Sequence, residues 1–239
     1  MNGDGFSDVI VGAPYFDSGF VDQGRAFAFQ GSAAGLNVVA SPALGLQYGG
    51  ASALFGFSVS TAGDVNGDGY SDVIIGHPGY GGTGGAVVYL GGVFGLTTST
   101  GGGGNLSGQA GAQRGFSVAC AGDVNADGYS DVLVGEPGYD TPGGVVDAGA
   151  FFLWLGSPSG VVTGSRTVSL LSQPGIRFGH CVAGVGDVNG DGRSDYAIGA
   201  PGYTLFQVGE GRVFIYGLGS PFSQNFNGGQ VGAAFGESI

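Results

Sequence analysis

The amino-acid sequence predicts an all-β fold, a β-propeller array of four-stranded antiparallel blades with four repeats to the chain. Three observations predict it. Glycine is extreme, at 56 of 239 residues, yet it follows no G-X-Y period and proline numbers only 9, which excludes collagen and points to many tight turns. Short runs rich in Val, Ile, Tyr and Phe between turn signals read as strands, whereas each glycine would cost a helix interior about 1 kcal/mol relative to alanine. One motif also recurs in register along nearly the whole chain, the mark of a repeat architecture.

The second copy of that motif reads FGFSVSTAGDVNGDGYSDVIIGHPGY over 55–80. The third is RGFSVACAGDVNADGYSDVLVGEPGY over 114–139, and the fourth is FGHCVAGVGDVNGDGRSDYAIGAPGY over 178–203. A first copy, MNGDGFSDVIVGAPY, begins inside the loop at Met1 without the preceding strand, and AAFGESI at 233–239 opens the motif again. Successive loops are 59 residues apart (Asp64 to Asp123) and then 64 (Asp123 to Asp187), enough for four short strands and their turns. In the second repeat the strands are expected at about 57–62, 72–76 and 85–90, with a fourth within 95–110. Four-stranded sheets arranged radially leave only short, protected edges and make a propeller. The expected blades are about 1–50 completed by the strand 233–239, then 55–110, 114–172 and 176–232, in one domain.

Bulk charge narrows the partners. The net charge of −12 comes with six arginines and no lysine, so the basic stripe needed for nucleic acid or an anionic membrane is missing. No run of about 18 apolar residues suggests membrane insertion, and no signal peptide is present, so the chain is expected to be soluble as given. Eleven of the eighteen acids lie in four short glycine-rich loops, where like charges repel unless a cation sits among them. Cys120 and Cys181 stand at offsets that point to opposite faces of a period-2 strand, which argues against a disulfide.

Those loops carry oxygen ligands at fixed spacing. In the second repeat Asp64, Asn66, Asp68 and Asp72 occupy positions 1, 3, 5 and 9, and the carbonyl of Tyr70 is available at position 7. The equivalent sets are Asp123, Asn125, Asp127, Asp131 with the Tyr129 carbonyl, and Asp187, Asn189, Asp191, Asp195 with that of Arg193. Ca²⁺ takes about six to eight hard oxygens, and the glycine at position 6 permits the turn that wraps the chain around an ion. Position 12, where an EF-hand has its bidentate Glu, holds Ile75, Val134 and Ile198, so these are loops between strands. Three complete calcium sites are expected. The first loop offers Asn2, Asp4, Asp8 and the Phe6 carbonyl but lacks the leading Asp, which predicts a partial, weaker fourth site. At millimolar calcium and an affinity of about 10⁻⁴–10⁻³ M, each site adds roughly 0.4–1.4 kcal/mol of stability.

The whole pattern, FG followed by GDVNGDG, SD and G-x-P, resembles the FG-GAP repeat of integrin α-chain propellers and related bacterial surface proteins. GAP stands at Gly12, Ala13, Pro14 and at Gly199, Ala200, Pro201, but the second and third copies carry His77 and Glu136 in place of its alanine. The resemblance implies an extracellular or cell-surface location and a ligand face opposite the calcium loops. On that side the residues after the G-x-P turns, Tyr15, Tyr80, Tyr139 and Tyr203, together with Arg114, Arg177, His77 and Glu136, are the candidate contacts for a protein or glycan. Catalysis finds little support: only His77 and His180 could serve as an imidazole base, and Gly156-Ser-Pro-Ser-Gly160 puts Pro158 where a nucleophile elbow has its serine. Two functions fit, an adhesion-type interaction module with structural calcium and a non-catalytic propeller domain of a secreted hydrolase or lyase.

The family ring has seven blades, at about 51° each, whereas four blades would need about 90° and eight about 45°. The smaller adjustment favours a homodimer in which two chains exchange terminal strands to make eight blades, with a closed four-bladed monomer as the alternative.

Overall fold

A computed structural model describes residues 1–37, 50–97, 109–162, 166–168, 173–218 and 223–239. The chain forms four antiparallel sheets in sequence order. Strands β1 (Val9–Ala13) and β2 (Arg25–Phe29) make the first, and β3 (Ser58–Gly63), β4 (Asp72–Gly76) and β5 (Ala86–Tyr89) the second. The third contains β6 (Val118–Gly122), β7 (Asp131–Glu136), β8 (Ala150–Trp154) and β9 (Arg166–Val168). The fourth contains β10 (Val182–Gly186), β11 (Asp195–Ala200), β12 (Arg212–Gly217) and β13 (Ser223–Asn227). Each sheet is a meander of neighbouring strands, the blade expected from the repeat. Strands one to three of the second repeat lie within a residue or two of their expected positions, while most of the expected fourth falls outside the described residues. A single 3₁₀ turn, Tyr80–Gly82, is the only helical segment among the described residues, and no helix there is long and apolar enough to cross a membrane.

The first strand of each complete blade ends in a bulge. The pairing register shifts between Thr61 and Gly63, between Cys120 and Gly122, and between Gly184 and Gly186. Gly63, Gly122 and Gly186 stand there at φ of 73°, 76° and 70°, the left-handed region that side chains avoid. The glycine before each leading Asp therefore turns the chain out of the sheet and into the acidic loop.

Cores lie between blades, because alternate residues of strands two and three face opposite neighbours. Ala26 and Ala28 of the first blade pack on Val73, Ile75, Val87 and Tyr89 of the second. Ile74, Ala86 and Val88 then meet Val132, Val134, Phe152 and Trp154, and Leu133 and Phe151 meet Tyr196, Ile198 and Phe214. A parallel bridge marks each seam, at Gly24 with Phe55, Gly84 with Arg114, Gly149 with Phe178 and Gly211 with Phe235. The last of these seats segment 233–239 on the fourth blade at Gly211, as every strand-one segment seats on the blade before it, while the first sheet holds β1 and β2 alone.

The outer face of the first blade is consequently open within one chain. Val9 and Val11 are 38% and 45% exposed, whereas their counterparts Val73, Ile75, Val132 and Val134 are at most 3% exposed. Both cysteines are free thiols, each with its pKa raised by burial.

Candidate functional site

The second, third and fourth acidic loops join strands one and two of their blades, and each loop is held by its own carboxylates. Asp64 gathers the loop backbone: Oδ1 accepts from the N–H groups of Gly67 and Asp68 at 2.7 and 3.1 Å, and Oδ2 from that of Gly69 at 2.8 Å. Asp68 accepts from the Tyr70 N–H at 3.0 Å and from the Asn66 amide at 2.9 Å. Asp187 holds the fourth loop through Gly190, Asp191 and Gly192, and these donors keep its carboxyl below its ordinary pKa. The third loop repeats the arrangement from Asp123 to Asp127 and Gly128, and the first loop has its central part, with Asp4 accepting from Asn2 and Phe6. Positions 1, 3 and 5 are thus serial Asx-turns.

Position 9 lies deeper. Asp72 and Asp131 are almost fully buried at the start of strand two. Each accepts one N–H from its own loop, Val65 or Val124, and one from the second residue past strand three, Gly91 or Gly156, all between 2.7 and 2.8 Å. Asp8 makes the same reach to Gly31, and Asp195 accepts from Val188. Burial pushes Asp72 and Asp131 up to about 6 in spite of those donors, and the neighbouring carboxylates push the same way, Asp68 and Asp64 on one, Asp127 and Asp123 on the other.

Among the described residues, no three His, Cys, Asp or Glu side chains form a group that could hold an ion as they stand. The carboxylates serve their own backbone. The donor chemistry nevertheless fits a hard cation: every ligand atom is oxygen, and the hydrogen bonds above leave at least one lone pair on each of Asp64, Asn66, Asp68 and Asp72. Gly69, Gly128 and Gly192 at position 6 have φ of 88°, 90° and 86°, with open space around them.

The opposite face differs from its expected composition. Tyr15 is exposed and Tyr80 and Arg177 are half-buried, but Tyr139, Tyr203, His77, Arg114 and Glu136 are inside the protein. Arg114 takes the place of the FG phenylalanine in the third repeat; its guanidinium lies 3.2 Å from the Glu136 carboxylate and 4.5 Å above the Phe152 ring. His77 stacks on Phe55 and meets Tyr80 edge-on. These side chains are buried in the protein and not displayed on that face. The strand two-to-three loops expose large apolar side chains among their polar ones: Phe16, Phe20 and Val21 in the first blade, Val146 in the third, and Leu205, Phe206 and Val208 in the fourth. Sequence reasoning missed them because it followed the repeat, and they lie in loop insertions that do not repeat. The signal was there in the composition of those insertions, which hold large apolar residues where turn residues suffice.

Burial of His77 also makes the stability of its seam depend on pH. Burial lowers its pKa from 6.5 to about 4, so acid protonates the unfolded chain first. Its stabilising share is complete above pH 6.5 and is lost as pH falls toward 4, about 2 kcal/mol of it by pH 5. Replacing it by the alanine of the first and fourth repeats should flatten this limb. Melting temperatures of wild type and His77→Ala at pH 7 and pH 5 check it: an equal drop in both would show that His77 is not the group responsible.

Blades that succeed one another in a propeller, each with an acidic hairpin loop between its first two strands, define a repeat protein whose loops are its conserved chemistry within the chain. The FG-GAP repeat matches four times, at residues 1–29, 55–90, 115–154 and 182–216, and the chain belongs to this family. It is similar to integrin alpha-PS2 of Drosophila melanogaster, 34% identical over 172 residues, covering 67% of this chain and 11% of that protein. Integrin alpha-6 of Homo sapiens is 34% identical over 158 residues, covering 63% of the chain and 13% of the relative. Integrin alpha pat-2 of Caenorhabditis elegans is 36% identical over 160 residues, with 62% and 13% covered. The chain spans little more than a tenth of the length of these curated relatives.

Proposed function

We propose that the chain is an extracellular, calcium-stabilised propeller that serves as an adhesion-type interaction module. The observation that carries the calcium reading is the all-oxygen donor set at positions 1, 3, 5 and 9 of the second, third and fourth loops, with at least one lone pair left free on each of Asp64, Asn66, Asp68 and Asp72. Asp64, Asn66, Asp68, Asp72 and the Tyr70 carbonyl would hold one ion, and the third and fourth loops would hold one each through the equivalent residues. The ion supplies positive charge that offsets three clustered carboxylates and fixes the strand one-to-two hairpin. The chain's own part is to keep the donors in place through the backbone N–H groups already described.

Chelation tests this. Removing calcium with EDTA should lower the melting temperature by several degrees, since three sites at roughly 0.4–1.4 kcal/mol each sum to a few kcal/mol. Calcium should restore it better than equimolar magnesium, which demands stricter octahedral geometry. A melting temperature unchanged by EDTA would end the structural-calcium reading. The interaction reading rests on the exposed Phe20, Phe206 and Val208 on the face away from the acidic loops, a surface suited to an apolar protein partner.

A further inference from the structure

Consecutive acidic loops touch, and they touch at the residues that would hold the ions. The backbone N–H of Ser130 donates to the Asp64 carbonyl at 2.9 Å, and the Asp64 N–H donates back to Ser130 Oγ at 3.2 Å. Ser130 is position 8 of the third loop, between the Tyr129 carbonyl and the Asp131 carboxylate. Asp64 is position 1 of the second, the residue that gathers three N–H groups of its loop. The same link recurs one blade on, where the Ser194 N–H donates to the Asp123 carbonyl at 2.9 Å.

Side chains repeat the connection. The Tyr129 ring lies over Gly67 of the preceding loop, so that a Cβ on Gly67 would come within 2.8 Å of its Cε1, and the Tyr70 ring lies over Gly3 in the same way, at 2.7 Å. Where the following loop carries Arg193 instead of tyrosine, the preceding loop carries Ala126 instead of glycine, at φ of 60°. Position 4 of one loop and position 7 of the next thus change together at the one seam where either departs from Gly and Tyr.

We propose that the calcium sites are coupled in a line, each loop bracing the one before it, so that occupying one site raises the affinity of its neighbour. This rests on the calcium reading above. An ion that fixes positions 7 and 9 of the third loop also fixes Ser130 between them, and through it the backbone of Asp64. By linkage the effect runs both ways. The third loop touches both the second and the fourth and is the relay between them.

Isothermal calorimetry with calcium alone as the probe, supported by circular dichroism to confirm folding, distinguishes the outcomes. In Asp191→Ala, which lacks the fourth site, the second and third remain; in Asp127→Ala/Asp191→Ala only the second complete site remains. Coupling predicts that the second site binds calcium about fivefold or more weakly in the double variant than in the single one, the lower end of ordinary coupling. Should the alanine variants fail to fold, Asp127→Asn and Asp191→Asn keep side-chain shape while removing charge and give the same comparison. A second site whose affinity is the same with and without its neighbour overturns the coupling and leaves the calcium reading standing. A wild-type chain that takes up no calcium at millimolar concentration overturns both.

Discussion

Glu136→Ala should be severely destabilising, by about 3–5 kcal/mol, because it leaves the Arg114 guanidinium charged and buried without its counter-ion. Arg114 is 2% exposed and Glu136 is 0% exposed, so water cannot stand in for the lost carboxylate. For a chain of this size each kcal/mol moves the melting temperature by about 2–4 °C, which puts the expected loss at about 6–20 °C. The double variant Arg114→Phe/Glu136→Ala should behave quite differently. It restores the pairing found in the fourth repeat, where Phe178 meets Phe214 and Phe151 edge-on and Ala200 stands at the GAP position. Replacing a buried ion pair by well-packed apolar groups is often neutral or stabilising by about 1–4 kcal/mol. Thermal melts of the two variants decide the matter. If the double variant melts as low as Glu136→Ala, the seam between the second and third blades needs the charge pair for something other than filling the FG pocket.

This pair shows how far the sequence could be read. Arg114 for Phe and Glu136 for Ala are departures within one repeat, and two departures of opposite charge in one repeat unit are a signal of contact. Taken one at a time they pointed outward, toward a ligand. The blades themselves were legible because strand and turn chemistry repeats: the glycine before each leading Asp fixes the bulge, and the alternation in strands two and three fixes which neighbour each side chain meets. The acidic loops were legible as donor sets from spacing alone. Their present arrangement was not, since a pattern of Asp and Asn at positions 1, 3, 5 and 9 says nothing of how many backbone N–H groups those oxygens also serve. The bridge between Phe235 and Gly211 follows the rule of the other seams, in which strand one docks on the preceding blade, a rule that the repeated motif alone does not reveal.

Gly135→Val should force the third and fourth blades apart. The family motif owes its two halves to this contact: the glycine of G-x-P in one blade lies against the FG glycine of the next, Gly12 on Gly56, Gly76 on Gly115, Gly135 on Gly179 and Gly199 on Gly236. At each seam a Cβ on the first glycine would overlap the carbonyl oxygen of the second. Both partners are backbone, so no side chain can swing aside, and Gly135 is further fixed by hydrogen bonds to Ser117 and from Gly115. Overpacking a tight core costs about 1–3 kcal/mol for added methylenes, and a branched side chain against backbone on a buried strand should reach or exceed the upper end. Gly143→Ala is the control. It lies in the strand two-to-three loop of the same blade, where a Cβ would meet nothing closer than the Thr141 hydroxyl at 3.8 Å, and its effect should stay within about 0.5 kcal/mol. Amide exchange adds a local readout: protection should fall along β7, β8 and β11, which line this seam, and stay near wild type in β4 and β5. A loss of protection spread evenly over all four blades, or a melting temperature equal to that of Gly143→Ala, would show that the glycine contact does not hold the seam.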